Sequence, residues 1–222
     1  MPFTNLVSDA SYDSTIQWEE WDITGYVATT ADSVIVVLSP SSEENLELSW
    51  INRKVSHDGC LFCKVHKGVS MAVENTYSQV KTAVDQHSDK KLYITGHSLG
   101  AAMAAHMAAK LVDDGYDPTV VSYGGYRVGN WFYARHYRDK FSAFRVVWGV
   151  DIVTHYPHKW MGYSHFGTEI YYSTRDEELL MCDSGKLHDW GCSYKYEFRL
   201  FDWNWEDHDA YMYGSWDIAD SL

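Results

Sequence analysis

Between Lys91 and Leu111 the chain reads KLYITGHSLGAAMAAHMAAKL. Leu92–Thr95 is a short β-favouring run, and from Ser98 the pattern changes to Ala, Leu and Met at nearly every position, as in a buried helix. Gly96-His97-Ser98-Leu99-Gly100 stands between them, a G-x-S-x-G in strand–turn–helix context. A serine at so sharp a bend takes up a strained backbone, and its neighbours two residues away must be small for strand and helix to cross closely. Gly96 and Gly100 meet that demand. The bend lifts the Ser98 hydroxyl out of the sheet at a helix N-terminus, where backbone N–H groups face a developing negative charge. Ser98 is the candidate nucleophile.

Strands and helices alternate around this unit. Tyr26–Thr29 and Val34–Leu38 are β-branched apolar runs joined by Thr30-Ala31-Asp32-Ser33, a hairpin pattern, and VIVVL reads as a strand buried on both faces. Ser41 and Glu44 have capping-box spacing, and Leu46, Trp50 and Ile51 follow as an apolar stripe. Val69–His87 carries apolar residues at three- and four-residue steps, an amphipathic helix. Thr119–Tyr123 is a predicted strand, Gly129–Phe141 a helix, Phe144–Trp148 a buried strand ending in Gly149-Val150-Asp151, and Thr168–Tyr172 one more strand. The alternation predicts an α/β fold with a mainly parallel sheet and helices on both faces. With 222 residues and no repeat or linker, residues 1–222 are expected to form one domain.

A net charge of −13 argues against nucleic acid and anionic membranes as partners, since both attract basic patches. No apolar run of about 18 residues exists, so no transmembrane segment is expected. The opening MPFTNLVSDASYDS has neither a basic start nor an apolar stretch, and so reads as no signal peptide; it suits a mature exported chain or a cytosolic one. Cys60/Cys63 and Cys182/Cys192 form two local pairs, which suits disulfides and an oxidising compartment. His57, Cys60, Cys63 and His66 also make H-x-x-C-x-x-C-x-x-H, but tetrahedral zinc sites usually draw their second ligand pair from a separate element. Neither a metal nor a cofactor is expected.

A serine hydroxyl is a poor nucleophile until a base removes its proton, and that base is usually a histidine held by a carboxylate. On such folds the order is serine, acid, histidine. Asp151 lies at the predicted C-terminal end of a strand, at the sheet edge where sites form. His208 comes late, in Trp205-Glu206-Asp207-His208-Asp209, with His155, His158, His165 and His188 as competitors for the role of base. If the carboxylates of Glu206, Asp207 and Asp209 lie near His208 in space, they favour its charged form, and neutralising them is expected to lower the pH of half-maximal activity.

From about Thr24 to Tyr213 the chain resembles the class 3 lipases, the filamentous-fungal type of triacylglycerol lipase. The likeness rests on LYITGHSLGAA, Val65-His66-Lys67-Gly68 and Ser122-Tyr123-Gly124-Gly125-Tyr126-Arg127-Val128-Gly129-Asn130. It continues through Phe144-Arg145-Val146-Val147, Asp151-Ile152-Val153, Gly162-Tyr163-Ser164-His165, Thr168-Glu169, and Asp207-His208 with Tyr211. The resemblance implies an α/β-hydrolase fold and a triad of Ser98, Asp151 and His208. It implies that both cysteine pairs, Cys60 with Cys63 and Cys182 with Cys192, are family disulfides. One oxyanion donor is then the backbone N–H of Leu99 and the other is Ser41, although Ser39-Pro40 replaces the family's Arg-Gly and the proline restricts the backbone there.

Residues 42–52 match the family's mobile lid, with Leu46, Leu48, Trp50 and Ile51 able to face a lipid surface. The family's long N-terminal helix has no counterpart, so part of the sheet is expected to be less covered. Ala101 replaces a glycine, and Thr154 stands where a proline is common. The implied activity is hydrolysis of carboxylic esters through an acyl-enzyme, with long-chain triacylglycerols at a lipid–water interface as the substrate. Feruloyl esterase, phospholipase A1 and mono- or diacylglycerol lipase are alternatives on the same fold. A catalytically silent lipid-binding protein is the alternative from another class.

Overall fold

The computed structural model describes residues 9–40, 54–174, 176–182, 191–197 and 204–213. In chain order the strands are β1 (Ser11–Trp18), β2 (Ile23–Thr29), β3 (Ser33–Pro40), β4 (Lys54–Ser56), β5 (Lys64–His66), β6 (Lys91–His97), β7 (Pro118–Tyr123), β8 (Gly129–Asn130), β9 (Ser142–Trp148), β10 (Tyr163–Ser164), β11 (Thr168–Ser173) and β12 (Glu178–Met181). The α-helices are α1 (Lys67–Asp85), α2 (Leu99–Asp113), α3 (Trp131–Tyr137) and α4 (Glu206–Tyr213). Ser41 and the candidate lid 42–52, with Leu46, Leu48, Trp50 and Ile51, lie outside the described residues, as does His188.

Among the described residues, one sheet runs in the order β1-β2-β3-β6-β7-β9-β11-β12. Its middle, β3 to β11, is parallel; β1, β2 and β12 add antiparallel flanks. This is the α/β-hydrolase fold. In the uniformly apolar Val34–Leu38, the face carrying Val34, Val36 and Leu38 is 0% exposed, while on the other face Val37 is buried and Ile35 half-buried. In α2, Met103, Ala104, Met107, Ala108, Ala109 and Leu111 are all buried, so this helix is apolar nearly all round because it has hardly any solvent face.

The hairpin expected around Thr30–Ser33 is present, closed by a Thr30 N–H to Ser33 carbonyl bond of 2.9 Å. The long amphipathic helix starts two residues earlier than expected, because the buried His66 side chain caps it by accepting from the Val69 N–H at 3.3 Å. The expected helix over Gly129–Phe141 is a two-residue strand, β8, followed by a shorter helix, α3. Asn130 divides them: its side-chain oxygen accepts the Tyr133 N–H at 3.0 Å, while Gly129 pairs with Val65 of β5. At one edge of the sheet, β1 is tied to α1, where the Gln17 backbone and the Gln79 side chain exchange bonds of 2.9 and 2.8 Å.

Candidate active site

β6 ends at His97 and α2 begins at Leu99, which leaves Ser98 alone to make the turn at φ 56° and ψ −121°. Positive φ in a non-glycine residue costs on the order of 1–3 kcal/mol and persists only where the surroundings enforce it. Here the Ser98 N–H donates to the Tyr123 carbonyl at 3.0 Å, and the Ser98 carbonyl accepts from the Ala102 N–H at 3.2 Å. A Cβ on Gly96 would stand 2.5 Å from the backbone of Gly100 and from the Leu38 carbonyl oxygen. Strand β3, the elbow and helix α2 therefore meet at a point with no room for a methyl group. The backbone N–H of Leu99 opens α2 beside the serine, at the positive end of the helix.

The structure brings Ser98, Asp151 and His208 together from three separate elements. His208 Nε2 lies 2.9 Å from Ser98 Oγ, and His208 Nδ1 lies 3.1 Å from each carboxylate oxygen of Asp151. Asp151 follows β9 in a loop whose Asp151 N–H reaches the Trp148 carbonyl, and it is 0% exposed. A carboxylate so buried needs its acceptor capacity filled. The Val153 N–H donates to Oδ1 at 2.8 Å and the Tyr211 hydroxyl to Oδ2 at 2.9 Å, in addition to the imidazole. With Nδ1–H held by a carboxylate, the His208 tautomer leaves Nε2 free to accept the serine proton.

Sequence reasoning gives Tyr211 no role beyond its place in the resemblance. Its position three residues after His208 on one helix puts both side chains on one face, and that spacing was the available signal. Two of the neighbouring acids have contacts of their own. Asp207 is turned to the Val150 N–H at 2.7 Å, and burial raises its carboxyl above the ordinary range, with Asp151 and Glu206 raising it further. Asp209 acts electrostatically on His97.

Among the described residues, the competing histidines His155, His158 and His165 are engaged elsewhere. His155 Nδ1 is 3.1 Å from Glu197 Oε2, His165 Nε2 is 2.7 Å from the Thr154 carbonyl, and His158 stacks on Trp160 at 5.6 Å between ring centres. Burial holds the His165 imidazole well below its ordinary value, which keeps it neutral. Both cysteine pairs are joined, Cys60 to Cys63 and Cys182 to Cys192. This removes two thiolates from the four ligands a zinc ion would have needed. His66 is occupied as the helix cap, and His57 Nε2 contacts the Tyr137 hydroxyl.

The family model described as Lipase (class 3) matches residues 38–161. The secreted mono- and diacylglycerol lipase 1 of Fusarium solani is 34% identical over 156 residues, covering 66% of this chain and 46% of that protein. The fold is similar to lipase II from Rhizopus niveus, with a TM-score of 0.81 at 24% identity over 92% of this chain and 81% of that one. It is also similar to a mono- and diacylglycerol lipase from Aspergillus oryzae, with a TM-score of 0.77 at 23% identity over 93% and 84% of the two chains. The chain spans between 46% and 61% of the length of the first curated relatives it matches.

Proposed function

This chain belongs to the class 3 lipase family, and from that premise we propose that it is a serine-dependent carboxylic ester hydrolase acting on long-chain acylglycerols. The observation that carries the reading is the unbroken relay from Ser98 Oγ through the His208 ring to Asp151, at 2.9 and 3.1 Å. Ser98 attacks the ester carbonyl while His208 Nε2 takes its proton. The tetrahedral oxyanion is met by the Leu99 N–H, with Ser41 proposed as the second donor. His208 then gives its proton to the departing alcohol. Water repeats the cycle on the acyl-enzyme and releases the fatty acid. Asp151 keeps the imidazole oriented and supports its positive charge during both transfers.

Glycerol esters are the proposed substrates, with partial glycerides included because the Fusarium solani relative is called a mono- and diacylglycerol lipase. Residues 42–52 are the proposed lid, and residues 1–222 the proposed single domain. The two disulfides support an exported protein. No helix of the described residues is long and apolar enough to cross a membrane.

A serine-reactive phosphonate and a chain-length series of glycerol esters, set against phospholipid and feruloyl esters, test the reading together. Labelling at Ser98 that is lost in Ser98→Ala, with turnover highest on long-chain glycerides, supports it. Absence of both labelling and turnover overturns it in favour of a silent lipid-binding protein. Preference for feruloyl or phospholipid esters keeps the chemistry and replaces the substrate.

A further inference from the structure

His97 fills the variable place before the nucleophile in Gly96-His97-Ser98-Leu99-Gly100 and has no part in the relay. It ends β6, half-buried, with its Nε2 2.9 Å from the backbone carbonyl oxygen of His208. A carbonyl can only accept, so Nε2 carries the proton and donates. The His97 ring also lies against the His208 ring, at 4.6 Å between centres and 30° between planes, with the Tyr211 ring 5.5 Å away on the same helix. Burial lowers the affinity of His97 for a second proton and the adjacent His208 lowers it further. Against these act its bond to the His208 carbonyl and the carboxylates of Asp151 and Asp209.

The helix that carries His208 is two turns long, and so short a helix holds its place through tertiary tethers rather than by its own stability. Most of those tethers run to the loop that bears the acid. The Asn204 N–H meets the Val150 carbonyl, Asp207 takes the Val150 N–H, and Tyr211 bridges Trp148 and Asp151. Among the described residues, two hydrogen bonds join the elbow to this segment: Ser98 to the His208 ring, and His97 to the His208 carbonyl. The first cannot last through the cycle. Once Ser98 Oγ is esterified it has no hydrogen to donate, and the base must stay in register with the elbow by other means.

We propose that His97 is a positioning residue that clamps His208 over the elbow while Ser98 is acylated, and so chiefly serves deacylation. This rests on the esterase reading. In that half of the cycle water attacks the acyl carbon and His208 Nε2 removes its proton. The bond from the acyl carbon to Ser98 Oγ then breaks, and Oγ takes the proton back from His208. Every step needs the imidazole within reach of a serine that no longer holds it.

The test compares wild type with His97→Phe, which keeps a ring and loses the donor, and His97→Gln, whose amide can donate to the same carbonyl. Burst and steady-state phases on a p-nitrophenyl ester separate acylation from deacylation. His97→Phe is expected to slow deacylation about 10- to 100-fold, with acylation slowed less and KM little changed, so that acyl-enzyme accumulates. His97→Gln is expected to recover most of that loss. Equal slowing of both steps, or His97→Gln as impaired as His97→Phe, overturns the clamp.

Nitrogen NMR of the wild-type imidazoles tests the contact on which the clamp depends even if His97→Phe does not fold. An Nε2–H tautomer with a hydrogen-bonded shift at His97 supports the clamp, and an Nδ1–H tautomer overturns it. If the wild type neither releases p-nitrophenol nor takes up the phosphonate at Ser98, the esterase reading fails instead, and the NMR result still judges the contact.

Discussion

The Tyr211 hydroxyl donates to Asp151 Oδ2 at 2.9 Å while accepting the Trp148 N–H at 2.7 Å, so one phenol ties the proposed acid to the end of the strand that delivers it. Burial, reinforced by the Asp151 charge, raises the phenol well above its ordinary value, and it remains a donor throughout the neutral range. Tyr211→Phe removes this donor from a fully buried carboxylate. The expected result is a loss of about 1–3 kcal/mol in stability. A fall of about 3- to 30-fold in kcat, at nearly constant KM, is expected beside it. Chemical denaturation and steady-state kinetics check the two effects separately, and an unchanged kcat would leave Tyr211 with a purely structural part.

Gly124 stands where the triad converges. At φ +59° it already holds a backbone that L side chains rarely adopt, and an added Cβ would meet Tyr211 at 2.9 Å, Asp151 Oδ2 at 3.0 Å and His208 Nδ1 at 3.1 Å. Gly124→Ala is expected to push the acid and base apart and lower kcat by about two orders of magnitude, since a displacement near 1 Å costs that much. Its phosphonate labelling rate should fall in parallel. Labelling at the wild-type rate would mean that the triad absorbs the methyl group.

Gly125 faces a different neighbour. A Cβ there would lie 2.9 Å from the Cβ of Ala101 in α2. Gly125→Ala alone should therefore destabilise the protein by about 1–3 kcal/mol through overpacking. Ala101→Gly should itself cost about 1 kcal/mol as a glycine in a helix, yet it removes the clash, so the double variant should lose less than the sum of the two. A double-mutant cycle measured by thermal unfolding gives the coupling directly, and simple additivity of the two changes would contradict the contact.

Glu197 sets an acid limit to stability. Burial pushes its carboxyl up, but bonds from His155 and the buried Arg127 guanidinium pull it down further, from 4.5 to about 2. A carboxyl depressed in the folded state stabilises the fold above its unfolded value, and that contribution is lost as pH falls from 4.5 towards about 2. Glu197→Gln leaves Arg127 charged and buried and is expected to cost about 3–5 kcal/mol at neutral pH. It should also flatten the loss of stability across that acid window. A mutant whose acid unfolding curve keeps the wild-type slope would show that other carboxyls govern it.

Lys91–Leu111 alone determined the elbow, because the steric demand of a strand–turn–helix crossing is local and is written in Gly96, Ser98 and Gly100. The strands at the middle of the sheet were legible for a similar reason: burial on both faces requires unbroken apolar runs such as Val34–Leu38. Asn130 shows where local pattern misleads, since its side chain both ends a strand and starts a helix that periodicity alone had merged. The choice of His208 over His155 or His165 was not local at all: the family resemblance named it, and no pattern in the residues themselves did. From composition each is a histidine near acids and aromatics, and the tertiary structure separates them by giving His155 to Glu197 and His165 to the Thr154 carbonyl. The parts played by Tyr211 and His97 likewise depend on contacts between the C-terminal helix, the acid loop and the end of β6. Hydrogen bonds across 60 or 111 positions of sequence leave no periodic trace, because they are made by where the elements pack rather than by what any one element is.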